Sequence, residues 1–198
     1  MVTRWIFFGV VLLLALQRLA ELRYSRKNER RILAQEGHEV GAGHFRVMTL
    51  LHAAWFVSML LEVFLLNRPF IPGLAAVALG LALLGQSLRY AAIRSLGWRW
   101  TVKVMVIPGL PPVDTGVYRY IRHPNYVGVI LEILSVPLLH TAYLTALIFS
   151  LANALLLVVR IRVEERALAQ HSDYERVFSR RPRFFPARPT SPARKLEQ

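Results

Sequence analysis

Five apolar blocks of near-membrane length dominate this chain. Trp5 to Leu22 is interrupted only by Gln17, Arg18 and Glu21 near its end, Val47 to Leu66 contains His52 and Glu62, and Phe70 to Leu88 carries no charge. Each reaches or approaches the roughly 20 residues that a helix needs to cross a hydrocarbon core. Two further blocks, Val127 to Leu139 and Leu144 to Val159, flank a polar break at His140 to Tyr143 and predict a helical hairpin. Extended back to Pro124 the fourth block has 16 residues. As a helix that is about 24 Å, short of a core of about 30 Å, so this segment is expected to be packed inside the bundle or to sit beside a thinned interface. The first block is read as a retained span and not a cleaved leader, because no small-residue cleavage pattern precedes Arg23.

Composition supports a membrane bundle. The chain is 55% hydrophobic and only 19% charged, unlike a soluble globule, yet it carries 25 Lys and Arg against 12 Asp and Glu, a formal charge of +13. A charge of that size on a soluble face would suggest nucleic acid, so its placement matters. Six basic residues fall between Arg23 and Arg46, five between Arg94 and Arg122, and ten between Arg160 and Lys195. Arg4 alone precedes the first block, Arg68 alone lies in the turn after the second, and the His140 turn has none. This alternation is the positive-inside pattern. It predicts an all-α integral membrane bundle of about five transmembrane helices, with the N-terminus outside and the C-terminus cytosolic. The charge is then topological, no nucleic-acid partner is expected, and anionic lipid headgroups are a secondary use for the same residues. With no cysteine, disulfides, thiolate metal sites and cysteine nucleophiles are excluded. No His pair stands at i, i+4 with an acid, so no metal is expected. The expected organisation is residues 1–93 as three spans with a basic loop, 94–186 as the functional core, and 187–198 as a basic disordered tail.

The densest functional signal is the run Gly116 to Gly128, which sets aromatics, Arg122, His123 and Asn125 against Pro124 at the opening of an apolar run. Proline suits the first helical position, where its missing N–H costs nothing, and the free N–H groups of such a helix end attract carboxylates and phosphates. A second signal is Arg160-Ile161-Arg162-Val163-Glu164-Glu165 at the cytosolic end of the last block. Its spacing allows helical pairs Arg160 with Glu164 and Arg162 with Glu165. Ionisable residues within the spans form a third group: Glu132, expected to pair with Arg89, Arg160 or Arg162, and Glu62 near the outer interface. His52 and Asn153 read as interhelical hydrogen-bond formers.

Arg122-His123-Pro124-x-Tyr126-x-Gly128, followed by Glu164-Glu165-x-x-Leu168, Tyr174 and the Arg181 to Pro186 stretch, resembles the isoprenylcysteine carboxyl methyltransferase family. The resemblance covers roughly Trp98 to Pro186. It implies a membrane-embedded methyltransferase that uses S-adenosylmethionine. By the same resemblance Tyr118, His123, Pro124, Asn125 and Tyr126 would contact the cofactor, Leu110 to Val113 would lie along it, and Glu165 would hold it. Arg160 or Arg162 would stand near the methyl acceptor, and Glu164 or Glu132 would be the base for a hydroxyl acceptor. The implied acceptor is lipophilic, either prenylcysteine-like or a long-chain polyketide such as an alkylpyrone or alkylresorcinol; the alternatives are a phospholipid N-methyltransferase-like enzyme and a non-catalytic helical membrane protein. The implied location is the bacterial inner membrane, with the site on the cytosolic face.

Overall fold

The computed structural model describes residues 1–185; Pro186 and the tail expected at 187–198 lie outside the described residues. The elements in order are α1 (Val2–Leu33), β1 (His38–Val40), α2 (Ala42–Leu65), α3 (Pro72–Leu96), β2 (Val104–Val106), α4 (Pro124–Leu138), α5 (Tyr143–His171) and α6 (Tyr174–Phe178). Among the described residues four helices, α1, α2, α3 and α5, are long and apolar enough to cross a membrane, and α4 is a shorter apolar helix. The fold is therefore the expected helical bundle, with two additions that alternation of apolar blocks did not predict. One is the antiparallel ribbon of β1 with β2, each of three residues. The other is the short α6, whose Tyr174 and Phe178 rings stack 4.8 Å apart.

The short helix is central. Pro124 opens α4 with His123 at its N-cap, and a second proline, Pro137, lies in its last turn. Residues on nearly every face of α4 are buried, from Tyr126 and Val129 to Ile133 and Val136. Its approach to α3 depends on glycine. A Cβ on Gly128 would lie 2.5 Å from Arg89 Cγ and 2.7 Å from Gly85 O, and one on Gly85 would lie 2.9 Å from Gly128 O. Because lipid tails are as apolar as leucine, such close packing of small residues, and not water exclusion, drives helix association here.

Polar residues inside the bundle satisfy one another. The Glu62 carboxylate accepts from the backbone N–H of Leu144 and Thr145 and from Arg68, so it caps the start of α5 from α2. Arg18 on α1 bonds Glu21 at 2.5 Å and also Glu132 on α4, while Arg89 on α3 bonds Glu21 at 2.6 Å. Arg89 Nε and Glu132 Oε1 lie 3.5 Å apart, an ion-pair contact in which neither atom makes a hydrogen bond. Two arginines and two glutamates thus tie α1, α3 and α4 together, with Gln17 and Gln86 bonded alongside at 2.9 Å. The partners of Glu132 are Arg18 and Arg89; Arg160 bonds the Tyr126 hydroxyl and Val102 O instead, and Arg162 is exposed.

Candidate active site

Loop positions around the α4 N-terminus are fixed by contacts from distant parts of the chain. Gly116 opens a 3-10 turn, Gly116–Arg119, at φ +57°, and a Cβ there would sit 2.2 Å from Ser95 Oγ, so only glycine fits. The turn buries Tyr118. The Arg181 to Phe184 segment straps this loop. The backbone N–H groups of Arg122 and His123 donate to Pro182 O and Arg183 O at 3.0 and 3.2 Å, and the Arg181 guanidinium donates to Tyr118 O at 3.0 Å. Phe184 packs against Tyr126, Leu157 and Ile161. On the opposite side, α1 anchors the Trp100 to Val102 loop: Asn28 donates to Trp100 O at 2.7 Å, and Ser25 Oγ accepts from Val102 N–H at 2.9 Å.

These elements enclose a cavity of about 490 Å³, within the range of about 300 to 1,000 Å³ of small-molecule sites. One end is lined by Leu110, Val113, Tyr118, His123, Asn125 and Tyr126. Arg160 and Glu164 line the same cavity, which continues between α1 and α2 past Arg18 and His52 to apolar Leu19, Met48, Ala53 and Phe56.

Of the residues expected from sequence, Leu110, Val113, Tyr118, His123, Asn125, Tyr126, Arg160 and Glu164 are brought to this one cavity. Pro124 is fully buried beneath it. Glu132 does not line it and belongs to the ion cluster above. Arg162 is exposed and lies with Glu165 in a separate hollow. Neither helical pair anticipated on α5 forms among the described residues. The Tyr126 hydroxyl instead stands between Arg160 and Glu164, donating to Glu164 and accepting from Arg160 Nε at 2.8 Å. The Arg160 guanidinium also donates through Nη2 to Val102 O. Its Nη1 has no hydrogen-bond partner among the described residues. Arg160 is therefore a buried charge held in one orientation, with one donor nitrogen uncommitted.

The Glu165 carboxylate is fully engaged. It accepts from His123 Nε2 at 3.0 Å and bidentately from Arg183 at 3.0 and 2.6 Å, with Arg122 Nη1 at 3.6 Å. A carboxylate can only accept, so His123 carries its proton on Nε2. Glu165 thereby orients the His123 ring, which stacks on Tyr126 with centroids 5.4 Å apart. Burial, reinforced by the Glu164 charge, pushes the Tyr118 phenol well above its ordinary range, so it stays a neutral donor at physiological pH.

Among the described residues, two buried polar atoms of cavity-lining residues have neither a hydrogen-bond nor an ion-pair partner: Asn125 Oδ1 and the Tyr174 hydroxyl. Leaving such groups unpaired costs about 1 to 3 kcal/mol each, so they mark places for ligand polar groups. S-adenosylmethionine carries ammonium, ribose and adenine donors that suit Asn125 Oδ1. Its carboxylate and ring nitrogens suit the Tyr174 hydroxyl and the Asn125 N–H in the first turn of α4, so the residues present fit this cofactor. The α1 contribution of Arg18 and Glu21 was not expected from sequence, and His52, expected to bond between helices, instead meets Met48 O of its own helix through Nδ1 at 2.9 Å and lines the cavity. The signal for the first two was available, since both interrupt an apolar block.

Fold and cavity together describe a bundle of apolar helices around a cavity of small-molecule size. Residues 78–170 match the isoprenylcysteine carboxyl methyltransferase (ICMT) family. The chain is also similar to the uncharacterized protein YpbQ of Bacillus subtilis, 41% identical over 169 residues, covering 84% of this chain and 98% of that protein. An uncharacterized protein of Haemophilus influenzae is 26% identical over 153 residues, covering 77% and 88% of the two chains. The chain belongs to the isoprenylcysteine carboxyl methyltransferase family, a family of membrane-associated methyltransferases that generally use S-adenosylmethionine. With its apolar helices, that membership makes it an integral membrane protein.

Proposed function

We propose that this protein is an S-adenosylmethionine-dependent O-methyltransferase acting on a carboxylate or hydroxyl of a lipophilic acceptor, either prenylcysteine-like or a long-chain polyketide such as an alkylpyrone or alkylresorcinol. The observation that carries the reading is Arg160, buried in the cavity wall with Nη1 uncommitted. When bound, S-adenosylmethionine supplies a methyl group activated on a sulfonium. Leu110 to Val113, Tyr118, His123 and Asn125 hold it at one end of the cavity, with Glu165 acting through His123. Arg160 draws the acceptor oxygen to a fixed place and favours its anionic form, so most of the rate comes from position and preorganised charge. A carboxylate acceptor needs no base; for a hydroxyl acceptor, Glu164 takes the proton through the Tyr126 hydroxyl. The apolar lining between α1 and α2 accommodates the acceptor's tail. A cationic amine would be repelled by Arg160, which argues against methylation of a phospholipid headgroup amine.

The test is product analysis of membranes incubated with methyl-labelled S-adenosylmethionine. Label in a base-labile ester or an ether of a lipid-soluble product is expected; label in a quaternary amine would overturn the reading. Asn125→Ala is expected to weaken cofactor binding about tenfold, the loss of one well-placed hydrogen bond to a charged or strongly polar group, and titration calorimetry measures it.

The arginine and lysine distribution supports a cytosolic site. Because the chain has no cysteine, single substitutions report sidedness cleanly. Gln35→Cys should react with an impermeant maleimide only in inverted vesicles, and Tyr143→Cys only in intact cells. The opposite pattern would reverse the orientation.

A further inference from the structure

We infer that the hollow on the outer side of α5 is a binding site for the phosphate of an anionic phospholipid. The hollow, of about 610 Å³, is lined by Arg122, Arg162, Arg166 and Arg183 with Glu165 and Glu175. Four guanidiniums against two carboxylates leave an excess of two positive charges. Arg122 and Arg183 are committed to Glu165 and to backbone carbonyls. Arg162 and Arg166 are exposed and make neither a hydrogen bond nor an ion pair among the described residues. Standing four apart, they share one face of α5.

That face continues as an amphiphile would require. Below the arginine pair run Leu151, Leu155, Val158 and Val159, all exposed, at the spacings that keep a helical stripe in line. The apolar block of α5 ends at Val159. Arg162 follows about 4.5 Å further along the axis and Arg166 about 10 Å further, at the depth of the headgroup layer. An acyl chain lying on the stripe therefore brings its phosphate to two uncommitted guanidiniums, whose planar forks suit a phosphodiester. A free phosphate satisfies the arginines but not the stripe, and a zwitterionic headgroup satisfies the stripe while its own ammonium offsets the charge.

The experiment is calorimetric titration of the full chain in maltoside micelles with dioctanoyl phosphatidylglycerol, dioctanoyl phosphatidylcholine and inorganic phosphate. Phosphatidylglycerol is expected to bind at least about fivefold more tightly than either of the others. Each arginine removed is expected to weaken it about fivefold, the change made by ~1 kcal/mol per basic residue at a charged membrane surface. Arg162→Ala with Arg166→Ala is compared with Arg26→Ala and Arg30→Ala, an exposed i, i+4 pair on α1 that removes equal charge. Loss confined to the α5 pair supports the site. Equal loss in both pairs, an unchanged α5 double variant, or phosphatidylcholine or free phosphate binding as tightly as phosphatidylglycerol would each overturn it.

Discussion

Arg160→Ala is expected to lower methyl transfer at least about a hundredfold, the scale of losing one preorganised donor at a site of developing charge. The reason lies in how Arg160 is held. Its Nε and Nη2 are bonded to the Tyr126 hydroxyl and Val102 O, so the guanidinium is aimed before any acceptor arrives. Lysine keeps the charge but has one nitrogen and no fixed fork, so Arg160→Lys should recover only part of the rate. Initial rates at saturating cofactor measure the effect, with cofactor affinity measured in parallel. If affinity fell by the same factor as turnover, Arg160 would act on the cofactor and not on the acceptor.

The second large effect is on stability. Glu132→Ala is expected to destabilise the bundle by about 3 to 5 kcal/mol, because it leaves Arg18 and Arg89 sharing Glu21 as their one carboxylate among the described residues of a buried cluster. Glu132→Gln retains the side-chain volume and one acceptor and should cost less. Unfolding in a graded sodium dodecyl sulfate titration checks both. An alanine variant that unfolds at the wild-type detergent fraction yet has lost activity would return Glu132 to the role of base, as its sequence position first suggested.

The bundle was legible because membrane spans announce themselves by block length, and the short fourth block implied a helix packed within the others or set beside a thinned interface, of which the buried faces of α4 show the first. Pro124 at the first position of α4 was likewise readable, since proline there is a local rule. The convergence of Tyr118, His123, Asn125 and Tyr126 on one cavity followed from a motif confined to 13 residues, Gly116 to Gly128. What sequence could not give were partnerships set by helix rotation. Arg160 and Arg162 differ by two residues, or about 200° around a helix, so one faces the cavity and the other the hollow, and nothing local to the chain says which. The charge pairs on α5 failed for a similar reason: tertiary partners, Tyr126 from α4 and Arg183 from the strap, outcompete the weak i, i+4 and i, i+3 interactions. Arg18 was visible as an interruption of the first block, but its partner Glu132 lies more than a hundred residues away and is brought near only by the packing of α1 against α4.

Titration of the purified full chain with S-adenosylmethionine and S-adenosylhomocysteine tests the central claim most directly. The account predicts saturable binding of both at about one site per chain, weakened by Asn125→Ala and retained in Arg160→Ala. Absence of heat for both ligands, from protein that remains folded, would contradict it.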